Sequence, residues 1–251
     1  MNPDEYAAVY RLEEDHWWYA GMRRIAAALL DSSGLTSVER VLDAGCGTGY
    51  NLAWLRGLYG AEVAGLDLYP EALRFSSLRG ERLLARGSMA ALPYRDASFD
   101  LVTAFDSLSH VTEASGRERS VAEFHRVLKR RGVLFVRVAA FEWLRTSHDD
   151  EILTRRRYGA GELGRSLRAA GFEIVRLTFA NTLLFPLAVA WRALKRLGLA
   201  PQGSDVRPNT RGPDWSNRAL QEMLRLEAAA LRGPSVSFPV GLSVIALARK
   251  P

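Results

Sequence analysis

"RVLDAGCGTGYNLAWL", residues 40–55, decides the fold. An apolar run ends at Asp43 and Ala44, glycines follow at 45, 47 and 49, and an apolar helical pattern begins at Tyr50. Strand, glycine turn and helix in that order make a seat for a nucleotide-like ligand, because glycine lets backbone approach a ligand closely. Spacing excludes two common seats. The dinucleotide turn G-x-G-x-x-G needs its third glycine where Tyr50 stands. A phosphate loop needs a lysine after the glycines, and none follows.

Outward from this turn, β-like and α-like segments alternate as far as about Phe179. Strands are expected at Val38–Ala44, Ala61–Asp67, Arg82–Gly87, Phe99–Phe105, Gly132–Ala139 and Phe172–Thr178. Helical patterns fill Tyr50–Tyr59, Pro70–Leu78, Glu118–Lys129 and Gly161–Ala170. Such alternation argues for an α/β fold with a mostly parallel sheet and helices on both faces. Runs such as "GVLFVRV" are continuously apolar, as strands buried on both faces must be. The pattern then breaks. Residues 181–234 read as a helical insert: an apolar then basic helix, the Pro- and Gly-bearing loop "APQGSDVRPNTRGPDW", and a helix near 217–232 capped by Ser216. A last strand or two, "SVSFPVGLSVIALARK", closes the chain.

Composition narrows the function classes. With 251 residues, 48% hydrophobic and 25% charged, the chain is long and apolar enough for a full core in one domain. One cysteine and four scattered histidines leave neither a disulfide framework nor a metal site. The acidic, amphipathic N-terminus is unlike a secretory signal, and no window approaches the roughly 20 apolar residues of a bilayer span, so a cytoplasmic protein is expected. The net charge of +6 is mostly arginine and comes without aromatic interleaving or a base-flipping motif; no nucleic-acid partner is expected.

The turn with Asp43 ahead of it resembles motif I of class I S-adenosylmethionine-dependent methyltransferases. Asp67, in "GLDLYPEAL", ends the second strand 22 residues after Gly45, where a carboxylate can accept both ribose hydroxyls; dinucleotide enzymes share that placement. The resemblance implies a Rossmann-like seven-stranded sheet with the helical insert before the last strand. Its cofactor is S-adenosyl-L-methionine, released as S-adenosyl-L-homocysteine. It also implies a cofactor site of Asp43, Gly45, Cys46, Gly47, Gly49, Asp67 and Leu68, with Ser88 and Met89 near the adenine and Phe105 and Asp106 at the end of the fourth strand. Cys46 is a small turn residue there, not a nucleophile. Ser88 departs from the acidic residue that members of the family usually carry.

The flanks resemble one bacterial branch of these enzymes. They carry His16-Trp17-Trp18-Tyr19 with Arg23 and Arg24, and "FEWLRTSHDDEILTRRRY" at 141–158, where Thr154 replaces a second histidine. Residues 1–30 are then either a helical lid, with Trp17, Tyr19 and Arg23 toward the acceptor, or a helix packed on the sheet edge. Arg157 and Tyr158 either bind an anionic group or hold their loop. A base is needed only where the acceptor must lose a proton; the candidates are His16, His110 and, preferred, His148 beside Asp149. His110 suits anchoring the loop after strand four, and His125 a solvent-facing position. The basic helix at 183–197 is a core element, a pocket wall or a peripheral membrane contact. The expected activity is methylation of oxygen or nitrogen on a small molecule, a natural-product intermediate. The alternatives are a lipid-linked or glycan intermediate at a membrane surface, and a non-catalytic cofactor-binding module.

Overall fold

The structure is a computed structural model that describes residues 3–145, 149, 154–196, 198, 214–233 and 235–251. His148, the preferred base, and most of the expected loop before residue 214 lie outside the described residues.

Two helices open the chain, α1 (Pro3–Leu12) and α2 (Trp17–Asp31). The alternation follows with β1 (Arg40–Ala44), α3 (Tyr50–Tyr59), β2 (Glu62–Asp67), α4 (Pro70–Leu78), β3 (Leu84–Arg86) and β4 (Phe99–Phe105). A 3-10 turn at Ser107–His110 leads to α5 (Ala114–Val127), β5 (Leu128–Ala139), α6 (Ala160–Ala169) and β6 (Glu173–Ala180). Helices α7 (Phe185–Arg196) and α8 (Asp214–Leu231) precede β7 (Ser243–Arg249). The seven strands stand in the order β3-β2-β1-β4-β5-β7-β6, with β7 alone antiparallel to its neighbours. Chain direction across the sheet reverses between β1 and β4. The connections leaving these two paired strands therefore run to opposite faces and leave, at their carboxyl ends, the crevice where open α/β sheets hold ligands.

Period-two alternation assigns each face its core. On β5, Leu134, Val136 and Val138 pack with Phe124 and Leu163 on one face. Val133 and Phe135 pack with Ile25, Leu55 and Leu224 on the other. Arg137 is next in the second series and stands at the carboxyl end of the strand, where the core gives way to a cavity.

Helices α2 and α8 share that second face. Gly21 makes their contact possible: a Cβ there would sit 2.2 Å from Leu224 Cδ1 and 2.7 Å from its Cβ. Glu227 on α8 is buried and accepts the Thr182 and Leu183 N–H groups, which ties the start of the insert to its second helix.

Three details differ from expectation. Helix α8 begins at Asp214, so Ser216 lies within its first turn rather than capping it. Helix α5 runs straight into β5 at Leu128, because Leu128 pairs with Phe99 and leaves the helical pattern early. His125 does not simply face solvent: its ring meets Phe172 edge-on at 5.0 Å.

Candidate active site

The turn after β1 is tied to the end of β2. Gly45 and Cys46 N–H groups both donate to Leu66 O, at 2.7 and 3.0 Å. Each of the three glycines adopts a positive φ, of 88°, 56° and 86° in order, but their surroundings differ. A Cβ on Gly45 would lie 2.3 Å from Ser107 Cβ, and one on Gly49 would lie 2.9 Å from Ser76 Cα. At Gly47 nothing stands within 4 Å of the Cβ position, and this residue lines the cavity. Packing thus demands Gly45 and Gly49, while Gly47 leaves room for a ligand.

Asp67 stands at the lip of that opening, with Oδ2 accepting Gly47 N–H at 2.9 Å and Oδ1 accepting Tyr69 N–H at 3.0 Å. Burial raises its carboxyl, and the backbone donors pull it back. Each oxygen keeps a lone pair for a ribose hydroxyl. Asp43 lies deeper and is fully buried. Thr103 Oγ1 donates to its Oδ1 at 2.7 Å, while Oδ2 has no hydrogen-bond partner. Desolvation pushes its carboxyl up to about 7. Asp43 is not part of the cavity wall, so its influence on a ligand is electrostatic rather than by contact.

The cavity measures about 650 Å³, within the range of about 300–1,000 Å³ typical of cofactor and ligand sites. Gly45, Cys46, Asp67, Leu68, Ser88, Met89, Phe105 and Asp106 line it. Exposed Leu68 and half-buried Met89 offer apolar surface for a purine. Ser88 instead serves its own turn, accepting Ala90 N–H at 3.2 Å. Cys46 is buried, which pushes its thiol up and argues against a nucleophile. The open cradle at Gly47, the carboxylate at the lip and the unpartnered Asp43 oxygen fit a ribose-bearing cationic cofactor.

The N-terminal aromatic cluster forms one wall: His16, Trp17, Trp18, Tyr19 and Arg23 all line the cavity. His16 is the N-cap of α2, its Nδ1 accepting Trp18 N–H at 3.3 Å, and burial lowers its basicity. With Nδ1 taken by this bond, a neutral ring carries its proton on Nε2, which tells against the expected role as a base. Arg23 donates to Glu14 O at 3.0 Å and lies 4.2 Å over the Tyr50 ring. Its guanidinium is thereby held at the wall.

The contacts of Arg157 and Tyr158 bear on the two alternatives left open for them. Arg157 lines the cavity but is engaged by the protein: Nε and Nη2 donate to Asp149 at 2.9 and 3.0 Å, and Nη1 donates to Ala140 O at 2.9 Å. Both oxygens of Asp149 take these bonds, so Arg157 holds the loop and Asp149 is its counter-ion. Tyr158 is buried in the core, its hydroxyl donating to Leu108 O at 3.5 Å, and it is not on the cavity wall. His110 does line the cavity, at the end of the turn after β4.

Sequence reasoning passed over three residues. Glu13 is buried, accepts the Thr48 hydroxyl, and pairs with Arg79 at 2.9 Å, clamping α1 onto the glycine turn. Ser107 fills the space beside Gly45 and donates to Ala44 O at 2.6 Å. Arg137 lines the cavity beside Asp106, to which it donates at 2.6 and 2.9 Å. The signal for Arg137 was present: one arginine in the apolar run "GVLFVRV".

With this geometry in place, comparison with known proteins shows what the chain is similar to. Residues 42–136 match the family described as "Methyltransferase domain". An O-methyltransferase of Penicillium expansum is 28% identical over 154 residues, covering 56% of this chain and 54% of that enzyme. Among solved structures, a Haloferax volcanii methyltransferase complex with the Trm112 activator aligns with a TM-score of 0.63 at 20% identity, covering 100% of this chain and 98% of that one. Phosphoethanolamine N-methyltransferase 2 of Haemonchus contortus, solved with S-adenosylhomocysteine, aligns with a TM-score of 0.57 at 17% identity, covering 92% and 52%. Strand order, glycine turn and the match over residues 42–136 agree in giving the chain the Rossmann-like methyltransferase fold. The chain spans about half the length of the curated relatives it matches, 54% for the Penicillium enzyme.

Among the described residues no helix is long and apolar enough to cross a membrane, and no cluster of metal-ligating side chains occurs.

Proposed function

We propose that the chain transfers a methyl group from S-adenosylmethionine to an oxygen or nitrogen of a small molecule, a natural-product intermediate. One observation carries this: the cavity that holds the cofactor seat is also lined by residues outside that seat, Ser109, His110, Leu242, Ser243, Trp17 and Trp18. That leaves space for a compact acceptor next to the cofactor. The Penicillium relative, named as an O-methyltransferase, supports the acceptor class.

The bound cofactor supplies an activated methyl on a sulfonium, so the chain's residues contribute mainly alignment and exclusion of water. Gly47 and Asp67 hold the ribose side, Leu68 and Met89 flank the purine, and the α2 aromatics cover the reacting centre. His148, which follows β5 in the sequence, remains the proposed base. Its replacement by alanine is expected to slow turnover and leave cofactor binding nearly intact; unchanged turnover would remove it from that role. The direct test incubates the chain with methyl-deuterated cofactor and small-molecule extracts and seeks deuterated methyl products by mass spectrometry. Cofactor binding with no transfer to any extract would instead favour a non-catalytic binding module.

A second acceptor class, a lipid-linked or glycan intermediate, is supported by one surface. Leu187, Trp191 and Leu194 are 68%, 41% and 41% exposed, and their spacing of four and three places them on one stripe of α7, with Leu183, 47% exposed, in the turn before it. Arg192 of the same helix lines the cavity, so the stripe adjoins the mouth. Flotation with phosphatidylglycerol vesicles decides: co-flotation supports this reading, and its absence rejects it.

A further inference from the structure

Arg137 is 6% exposed, and its guanidinium lies between two rings, 5.0 Å from the Trp18 centroid and 5.4 Å from that of Phe105. Its Nε and Nη2 both donate to one oxygen, Oδ2 of Asp106. Nη1 has no hydrogen-bond partner among the described residues, although the side chain lines the cavity. A guanidinium presents five N–H donors in a planar fork matched to a carboxylate. Here one edge of the fork is taken by the protein and the Nη1 edge is left to whatever occupies the cavity. Nη1 is not among the buried atoms without a partner, so it keeps contact with the cavity, and a ligand oxyanion there gains a strong, charge-assisted pair.

The position indicates which ligand. Asp43 on β1 registers with Thr103, and Thr103 with Phe135 on β5. Arg137 is therefore two strands away from the cofactor turn, roughly 10 Å across the sheet, and two residues nearer its carboxyl edge. Phe105, at the end of the intervening strand, registers directly with it. The cofactor turn occupies the β1 side of the crevice, and Arg137 faces the space beyond.

We propose that Arg137 anchors a carboxylate carried by the methyl acceptor, which makes the substrate an acidic molecule; this rests on the methyltransferase reading above. Asp106 is its positioning residue. It holds the fork in place from a left-handed backbone, φ 60°, and orients the free edge toward the cavity.

The test compares 4-hydroxybenzoate with its neutral counterpart 4-hydroxybenzamide as probes, by calorimetry on the S-adenosylhomocysteine complex. The wild type is expected to prefer the acid at least about tenfold. Arg137→Gln is expected to abolish that preference, and Arg137→Lys, which keeps the charge opposite Asp106 but loses the fork, to retain part of it. A purely structural arginine would leave the acid-to-amide ratio unchanged. Equal affinities for the two probes in the wild type overturn the proposal, as does an unaltered ratio in a folded Arg137→Gln. S-adenosylhomocysteine affinity is expected to stay within about twofold in both variants. If it falls about tenfold or more in the folded variant, the anion is the cofactor's own carboxylate and the acceptor assignment fails. Wild-type titration with S-adenosylhomocysteine alone tests the underlying reading separately; no binding there removes the proposal with it.

Discussion

Replacing Asp43 by asparagine should raise the stability of the ligand-free protein relative to the wild type between pH 4 and pH 8. Burial moves this carboxyl from its ordinary 3.8 to about 7. Each tenfold change in proton affinity is worth about 1.4 kcal/mol, so the full displacement corresponds to about 4 kcal/mol. The sign follows from proton counting. Between pH 3.8 and about 7 the native state keeps a proton that the unfolded chain has released. Native stability from this group is therefore greatest below the unfolded value and declines as pH rises to about 7, then levels off. Asparagine has the same shape, accepts the Thr103 hydroxyl as Oδ1 does, and never ionises. The protonated acid leaves one buried O–H without a partner and asparagine two N–H groups, so the variant carries a pH-independent offset and the prediction is the change in the gap between pH 4 and pH 8. With local relaxation, about 2–4 kcal/mol of that change should survive. For a chain of this size that raises the variant's melting temperature relative to the wild type by about 5–10 °C between the two pH values. Thermal denaturation followed by circular dichroism at pH 4, 6 and 8 measures the gap. Parallel pH profiles for the two proteins would show that Asp43 is not held uncharged by burial and would refute the reasoning.

Other outcomes follow from packing around the site. Gly21→Ala places a methyl 2.7 Å from Leu224 Cβ; it should separate α2 from α8 and cost about 1–3 kcal/mol in a denaturant titration, and no loss would mean the two helices are not tightly seated. Gly49→Ala meets Ser76 backbone at 2.9 Å in a φ of 86°. It should cost at least about 2 kcal/mol, whereas Gly47→Ala should cost less in stability and more in cofactor affinity; chemical denaturation paired with calorimetry separates them, and equal behaviour of the two would undo their assignment. Glu13→Gln should weaken the α1 clamp on Thr48 and increase proteolytic cleavage before Trp17, and an unchanged cleavage pattern would count against the clamp.

The core alternation was legible because its punctuation is local. Helix α3 starts and ends where expected, between left-handed Gly49 and Gly60, and α4 starts at Pro70, which is preset for a first helical turn. The α5–β5 boundary was not legible: "HRVLKRRG" has no turn residue between helix and strand, and the change of state at Leu128 is imposed by pairing with Phe99 across the sheet. The site divides in the same way. Gly45, Gly47 and Asp67 announce themselves by spacing within one β-α-β unit. Glu13 and Arg137 depend on partners far along the chain, Thr48 and Arg79 for the first, Asp106 and Trp18 for the second. Tyr158 and Arg157 stand side by side in sequence yet face a core and a cavity wall, a division set by the bridge of Tyr158 to Ala140.

Isothermal titration of the purified chain with S-adenosylhomocysteine tests the central claim most directly. One site per chain is expected for the wild type. Asp67→Ala should weaken binding at least about tenfold, since it removes both the ribose acceptor and the Gly47 anchor. No binding to the wild type, or equal binding by Asp67→Ala, would contradict the assignment of the glycine turn as the cofactor seat.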